Sequence, residues 1–267
     1  MQQTIFITGA SAGLGKATAQ LFQRNGWKVI ATMRNPENET TLSQLENVTL
    51  LPLDVTNPSQ IQSTVKTAIS MGVDVVFNNA GYGLIGPLEA ITDEQLVRQL
   101  NTNLLGVIRV TKAFIPYFRE RKKGLFISTT SIGGLIAMPF ASAYHATKWA
   151  LEGWSESMAF ELNRFGVNIK TVSPGGILTD FAGRSMDLTG SPAYDAEIQL
   201  MMNGFEGMLQ NASSPEQIAA VVYEAATDGR QQLRYVAGED AKALYAQRLE
   251  QGDEVFREWV GKQFLGN

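Results

Sequence analysis

Short apolar runs, each stopped by glycine, proline or a polar turn, alternate along the chain with longer stretches whose apolar residues recur every three or four positions. Residues 4–8, Thr-Ile-Phe-Ile-Thr, end at Gly9 and read as a buried strand. Residues 13–25 follow with Ala17, Leu21 and Phe22 on one face and Gly26 as a C-terminal stop, the pattern of a helix. Further strands are expected at 28–32, 48–53, 73–77, 125–128, 167–172 and 233–236. Asn57, Thr92 and Ser214 each offer a helix-capping side chain with a glutamine three positions on, and Pro58 and Pro215 take the first helical position. Because the strands are almost continuously apolar, both faces of their sheet must be covered. The expected fold is a single α/β domain: a doubly wound parallel sheet of about seven strands, Rossmann-type, with helices on both faces.

Two stretches break this rhythm. Segment 179–213 holds Phe181, Met186, Leu188, Met201, Met202, Phe205 and Met208, with Gly183, Gly190, Gly204 and Gly207 between them. Adaptable Met and Phe side chains suit a mobile substrate cover, and they equally suit a loop and helix packed on the domain; the pattern leaves both open. Residues 239–264 read as a final amphipathic helix.

Composition then narrows the chemistry. With 267 residues, 44% hydrophobic and 18% charged, the chain suits one ordinary globular domain. A net charge of −4 gives no general attraction to nucleic acid or anionic membrane. The absence of cysteine removes disulfides, thiolate nucleophiles and thiolate zinc sites, and the lone histidine, His145, argues against a two-imidazole metal site or a Ser-His-Asp triad. No apolar run approaches the roughly 20 residues that span a bilayer, and residues 1–8 are too short before Gly9 for a signal sequence. The expectation is a cytoplasmic protein that binds neither metal, membrane nor nucleic acid.

Gly9, Gly13 and Gly15 lie between the first strand and first helix, with Leu14 in the opening turn and Ser11 nearby. There glycine allows a tight turn and close approach of a pyrophosphate to the helix N-terminus. The second strand ends Ala31-Thr32-Met33-Arg34-Asn35, without the carboxylate that would hold a ribose 2′-hydroxyl. Arg34 offers its planar fork to a 2′-phosphate, so NADP(H) is preferred and NAD(H) is possible. A solvated surface charge, or stacking on adenine, is the other reading of Arg34.

With these residues in view, the chain resembles the short-chain dehydrogenase/reductase family. The resemblance runs from residue 4 to about residue 179 and rests on ordered motifs: Thr8-Gly9-x-x-x-Gly13-x-Gly15, Leu53-Asp54-Val55, Asn78-Asn79-Ala80-Gly81, Asn103 before Gly106, Ser131, Tyr144-x-x-x-Lys148 and Pro174-Gly175. One departure is Ala12, where NADP-using members often carry a basic residue. The resemblance implies that Asp54 and Val55 contact adenine, that Asn79, Ala80 and Gly81 pass beneath the adenosine ribose, and that Pro174, Gly175, Ile177 and Thr179 line the nicotinamide or pyrophosphate. Asp54 could also be a simple turn former. Lys148 would bind the nicotinamide ribose and Asn103 a water linked to it. His145 reads as a packing residue.

The chemistry follows from residue types. On one helix, the i,i+4 spacing places Tyr144 and Lys148 on one face, where an ammonium would lower the phenol pKa from about 10. Tyr144 would then serve as general acid or base while Ser131 stabilises charge on the substrate oxygen. The expected activity is NADP-linked hydride transfer on CH–OH groups: reduction of apolar or aromatic ketones and aldehydes, or oxidation of steroid- or retinoid-like alcohols. A 3-oxoacyl carrier-protein reductase ranks lower, since Arg184 is the one cation in 179–213. A non-catalytic dinucleotide sensor is the alternative from another class, and it conflicts with the presence of Asn103, Ser131, Tyr144 and Lys148. The resemblance also implies a homotetramer or homodimer joined through the Tyr144 helix and the one before it. Trp149, Leu151, Trp154 and Phe160 could form that interface or face the protein's own sheet.

Overall fold

The computed structural model describes residues 2–178, 185–209 and 211–266. Its strands are β1 (Thr4–Thr8), β2 (Lys28–Met33), β3 (Val48–Pro52), β4 (Val75–Asn78), β5 (Gly83–Ile85), β6 (Gly124–Thr129), β7 (Val167–Pro174), β8 (Met186–Leu188) and β9 (Arg234–Ala237). The helices are α1 (Gly13–Arg24), α2 (Pro58–Ser70), α3 (Asp93–Leu100), α4 (Gly106–Arg121), α5 (Ser142–Leu162), α6 (Asp195–Leu209), α7 (Pro215–Thr227), α8 (Glu239–Gln251) and α9 (Asp253–Leu265). Seven strands form one parallel sheet in the order β3-β2-β1-β4-β6-β7-β9. This is the doubly wound, Rossmann-type arrangement expected. The winding direction reverses between β1 and β4, and the crevice beyond the carboxyl ends of those strands is where such sheets bind ligands.

Pleating divides the core. On β1, Ile5 and Ile7 face one side with Phe22 of α1 and Val222 of α7, while Phe6 faces the other with Val65 of α2 and Phe114 and Phe118 of α4. A third cluster joins Ile132, Leu135 and Ile136, which follow β6, to Leu244 of α8 and Phe256, Val260 and Phe264 of α9.

Local chemistry explains the helix starts. Thr92 and Ser214 form reciprocal capping boxes with Gln95 and Gln217. Asn57 accepts from the Ser59 and Gln60 amides, yet Gln60 Oε1 turns away to accept the Asp54 N–H at 2.7 Å. That glutamine therefore ties α2 to the turn after β3 instead of closing a box.

The expected final helix over 239–264 is instead two. Gly252 (φ 80°) ends α8, and the chain folds back so that α9 can bury Phe256, Val260 and Phe264. Segment 179–213 also carries more structure than a loop and helix, because β8 pairs in parallel with β5. Within it α6 packs on α9: Met201 is buried, and a side chain at Gly204 would meet the Phe264 ring at 2.7 Å. Phe181, Gly183 and Arg184 lie outside the described residues. Of the four apolar residues considered for an interface, Leu151 is fully buried and Trp154 packs on the domain's own core, whereas Trp149 and Phe160 are exposed. Among the described residues no helix is long and apolar enough to cross a membrane.

Candidate active site

Two glycines of the turn after β1 have no room for a side chain. Gly9 holds φ 68°, and a Cβ there would lie 2.8 Å from Ala80 Cα. A Cβ on Gly15 would collide with the Gly9 carbonyl and with Asn79 Nδ2. Thr8 Oγ1 accepts the amides of Asn79 (2.9 Å) and Ala80 (3.0 Å), and Asn79 Nδ2 donates back to the carbonyls of Thr8 (3.1 Å) and Gly9 (3.2 Å). The glycine turn and the segment after β4 are thus bonded together at the reversal point of the sheet.

Helix α1 opens there without a side-chain cap and without an acid in its first turn, unlike α2, α3 and α7, whose leading amides are capped by Asn57, Thr92 and Ser214. Its N–H groups and positive dipole end are left for an external anion. Leu14 is buried in the core, so only its backbone can face such a ligand, and Ser11 is exposed. Ala10 N–H donates to the Thr32 carbonyl at 3.0 Å, which holds the turn beside the end of β2, where Arg34 is exposed and makes no ion pair among the described residues. Asp54 helps to hold the turn after β3, its Oδ1 accepting from Thr56 N–H (2.8 Å) and Oγ1 (2.7 Å). Val55 is buried against Gly106, whose missing side chain would meet it at 3.0 Å.

Across the crevice α5 sets Tyr144 and Lys148 one turn apart, with Lys148 Nζ 5.7 Å from the phenol ring centre. Lys148 is buried and donates to the Thr129 carbonyl at the end of β6 (2.9 Å). Two residues on, the Ser131 Oγ accepts the Gly133 N–H at 2.9 Å, leaving its own proton to donate. Asn103 sits in a π-helical turn (Asn101–Leu105) between α3 and α4, a distortion common at functional sites. Its amide pairs with both backbone groups of Tyr82, at 3.0 and 2.7 Å, and reaches Thr147 of α5 at 3.5 Å. Beyond β7, Gly175 N–H donates to the Ala237 carbonyl (3.1 Å) and Ile177 bridges to Ser213, so Pro174, Gly175 and Ile177 edge the same crevice; Thr179 lies outside the described residues.

Residues 3–188 match the family model described as short chain dehydrogenase. The chain belongs to the short-chain dehydrogenase/reductase family. It is similar to a 3-ketodihydrosphingosine reductase of Bacteroides thetaiotaomicron, 34% identical over 249 residues that cover 91% of each chain. Among solved structures it is similar to a short-chain dehydrogenase from Streptomyces avermitilis, with a TM-score of 0.85, 30% identity and coverage of 97% of this chain and 96% of that one. It is also similar to ElxO with NADP bound, with a TM-score of 0.75, 25% identity and coverage of 88% and 98%.

Electrostatics in this short-chain dehydrogenase differ from the expectation that Lys148 depresses the Tyr144 pKa. Burial raises the Tyr144 pKa, opposed by the Ser131 hydroxyl, and burial lowers that of Lys148 to about 8, opposed by the carboxylate of Glu152. Desolvation disfavours charge on both groups and sets the direction of both shifts in the protein alone. His145 is a packing residue, as its helical position suggested. Its Nε2 accepts the Met138 N–H (2.9 Å), which leaves the proton on Nδ1 to meet the Gly133 carbonyl at 2.6 Å. Burial holds its pKa below the usual histidine value.

Tyr82 and Glu152 escaped the sequence reading. Tyr82 follows Asn79-Ala80-Gly81 directly, which was the available signal. Glu152 stands one turn beyond Lys148, yet its burial came from distant partners: Oε1 accepts from Ser173 Oγ (2.9 Å), Oε2 from Thr171 Oγ1 (3.2 Å) and Arg234 Nε (2.8 Å).

Proposed function

We propose that this family member is a dehydrogenase/reductase that prefers NADP(H) and interconverts an apolar ketone or aldehyde with its alcohol. The observation that carries this is the joint placement of Ser131, Tyr144 and Lys148 at the carboxyl ends of the central strands, beside an uncapped helix N-terminus and a glycine turn that side chains would fill. The NADP bound to ElxO and the ketone named for the Bacteroides relative support the choice of cofactor and substrate class. Arg34 supports the 2′-phosphate preference, as an exposed guanidinium beside the glycine turn.

Gly9, Gly13, Gly15, Asn79, Ala80 and Gly81 would hold the dinucleotide, with Pro174, Gly175 and Ile177 beneath its nicotinamide end. When bound, it supplies or accepts the hydride. Ser131, whose oxygen already accepts the Gly133 amide, donates its proton to the substrate oxygen and stabilises the charge that develops there. Tyr144, kept protonated by burial, delivers its phenolic proton to the same oxygen during reduction and takes it back during oxidation. Lys148, anchored on the Thr129 carbonyl, has two further N–H bonds for a ribose hydroxyl and favours the phenolate once Tyr144 has given up its proton.

The test is absorbance at the reduced-nicotinamide band over a panel of apolar ketones, paired with NADPH and NADH titrations. Tyr144→Phe is expected to lower turnover by about 10²–10⁴-fold while leaving dinucleotide affinity intact, and Arg34→Glu to weaken NADPH more than NADH. Turnover within a few-fold of wild type in Tyr144→Phe would remove the proposed role.

A further inference from the structure

The turn after β7 is held from behind by a carboxylate that the chemistry above does not use. Asp240, in the first turn of α8, accepts the Gly176 N–H on Oδ2 at 2.7 Å. Two glycines make room for it. A side chain on Gly175 would collide with the Asp240 carboxylate, and one on Gly238 (φ 98°) would lie 2.5 Å from Asp240 Oδ1 and 2.9 Å from Ser213 Oγ. Oδ1 is itself buried and has no hydrogen-bond partner among the described residues, although a buried carboxylate oxygen is costly to leave unpaired.

Around this group the two flanks of segment 179–213 meet. Ser213 N–H donates to the Gly176 carbonyl (2.9 Å), and Leu178 N–H donates to the Ser213 carbonyl (2.8 Å). Segment 179–213 therefore departs from and returns to one short ladder, and Asp240 grips that ladder at Gly176. On its far side the same turn is tied to β9 through Gly175 N–H and the Ala237 carbonyl.

We infer that Asp240 is a positioning residue, which fixes the 174–178 turn against α8 and β9 and, through Ser213, joins the closing end of the substrate segment to the surface on which the nicotinamide would rest. The inference builds on the dinucleotide reading above. An error of about 1 Å in such a surface can cost on the order of a hundredfold in rate, so a fixed turn is worth an awkwardly buried carboxylate.

The experiment compares binding of the reduced dinucleotide, NADPH or NADH as wild type prefers, with binding of the matching ADP-ribose, which lacks the nicotinamide. Asp240→Ala should weaken the dinucleotide about tenfold or more and leave ADP-ribose unchanged. Asp240→Asn, which keeps an oxygen for the Gly176 N–H, should recover most of the loss. If Asp240→Ala does not fold, Asp240→Glu is read in its place, since its longer arm must push against Gly175 and Gly238 and should show the same selective weakening. Equal weakening of both ligands, or of neither, overturns the inference. Failure of wild type to bind either ligand would instead overturn the dinucleotide reading.

Discussion

Burial governs the protonation of Lys148 more strongly than any charged neighbour does. In the unfolded chain the amine titrates near 10.5, in the folded protein at about 8. Between those values the unfolded chain holds a proton that the folded chain has released, so this group's contribution to stability rises with pH across that window and is lost as pH falls through about 8. Thermal midpoints of the dinucleotide-free protein should show wild type gaining on Lys148→Met as pH rises from about 8 to about 10.5. A constant difference over that range would mean that the amine is solvated. The spacing of Tyr144 and Lys148 was legible in the sequence because helical geometry alone dictates it. The desolvation that reverses the expected pKa of Tyr144 was not, since the groups enclosing the pair come from β6, the loop after it and α5 together. Asp54 teaches the same lesson: its motif was visible, but the Thr56 contacts that occupy one of its oxygens belong to a turn that pattern alone left ambiguous.

At the scale of elements, α1 differs from α2, α3 and α7 in opening without a capping side chain. Its N-cap position is Ala12, with extended backbone angles (φ −156°, ψ 174°) suited to a capping side chain that alanine does not provide. A carboxylate there would accept the free amides and occupy the place proposed for a pyrophosphate. Ala12→Asp should therefore stabilise the unliganded protein by about 1 kcal/mol while weakening dinucleotide binding, read from a thermal scan and a titration on the same sample. Unchanged affinity together with raised stability would show that the anion sits elsewhere. The seven main strands and the capped starts of α2, α3 and α7 were readable because each is encoded within a few adjacent residues. The β5–β8 pair was hidden, for it joins two three-residue strands about a hundred positions apart, too short to show a period. The break at Gly252 was hidden differently: apolar spacing continues through it, and only the packing of α9 back onto the loop after β6 reveals that one helix must become two.

Across the whole molecule, the β7–β9 edge carries both the turn beneath the proposed nicotinamide site and the C-terminal third of the chain, and buried charges secure it. Lys170 of β7 donates to Asp228 Oδ1 (2.7 Å), the Ala225 carbonyl (2.8 Å) and Tyr235 Oη (3.0 Å), while Tyr235 Oη donates to Asp228 Oδ2 (2.6 Å). The link welds the end of α7 to β7 and β9. Burial by itself would raise the Asp228 pKa, but hydrogen bonds from Lys170, Tyr235 and the Arg230 amide hold it down to about 2, against 3.8 for the free side chain. A depressed acid contributes stability that is present above about pH 4 and lost as pH falls toward about 2, because the unfolded chain takes up the proton first. Asp228→Asn should leave Lys170 buried without its counter-charge, and breaking such a pair costs about 3–5 kcal/mol at neutral pH. Urea unfolding at pH 7 and at pH 3 should show the gap between wild type and Asp228→Asn narrowing at the lower pH. A gap of equal size at both would mean that packing around Asp228, rather than its charge, holds the edge on which the proposed site rests.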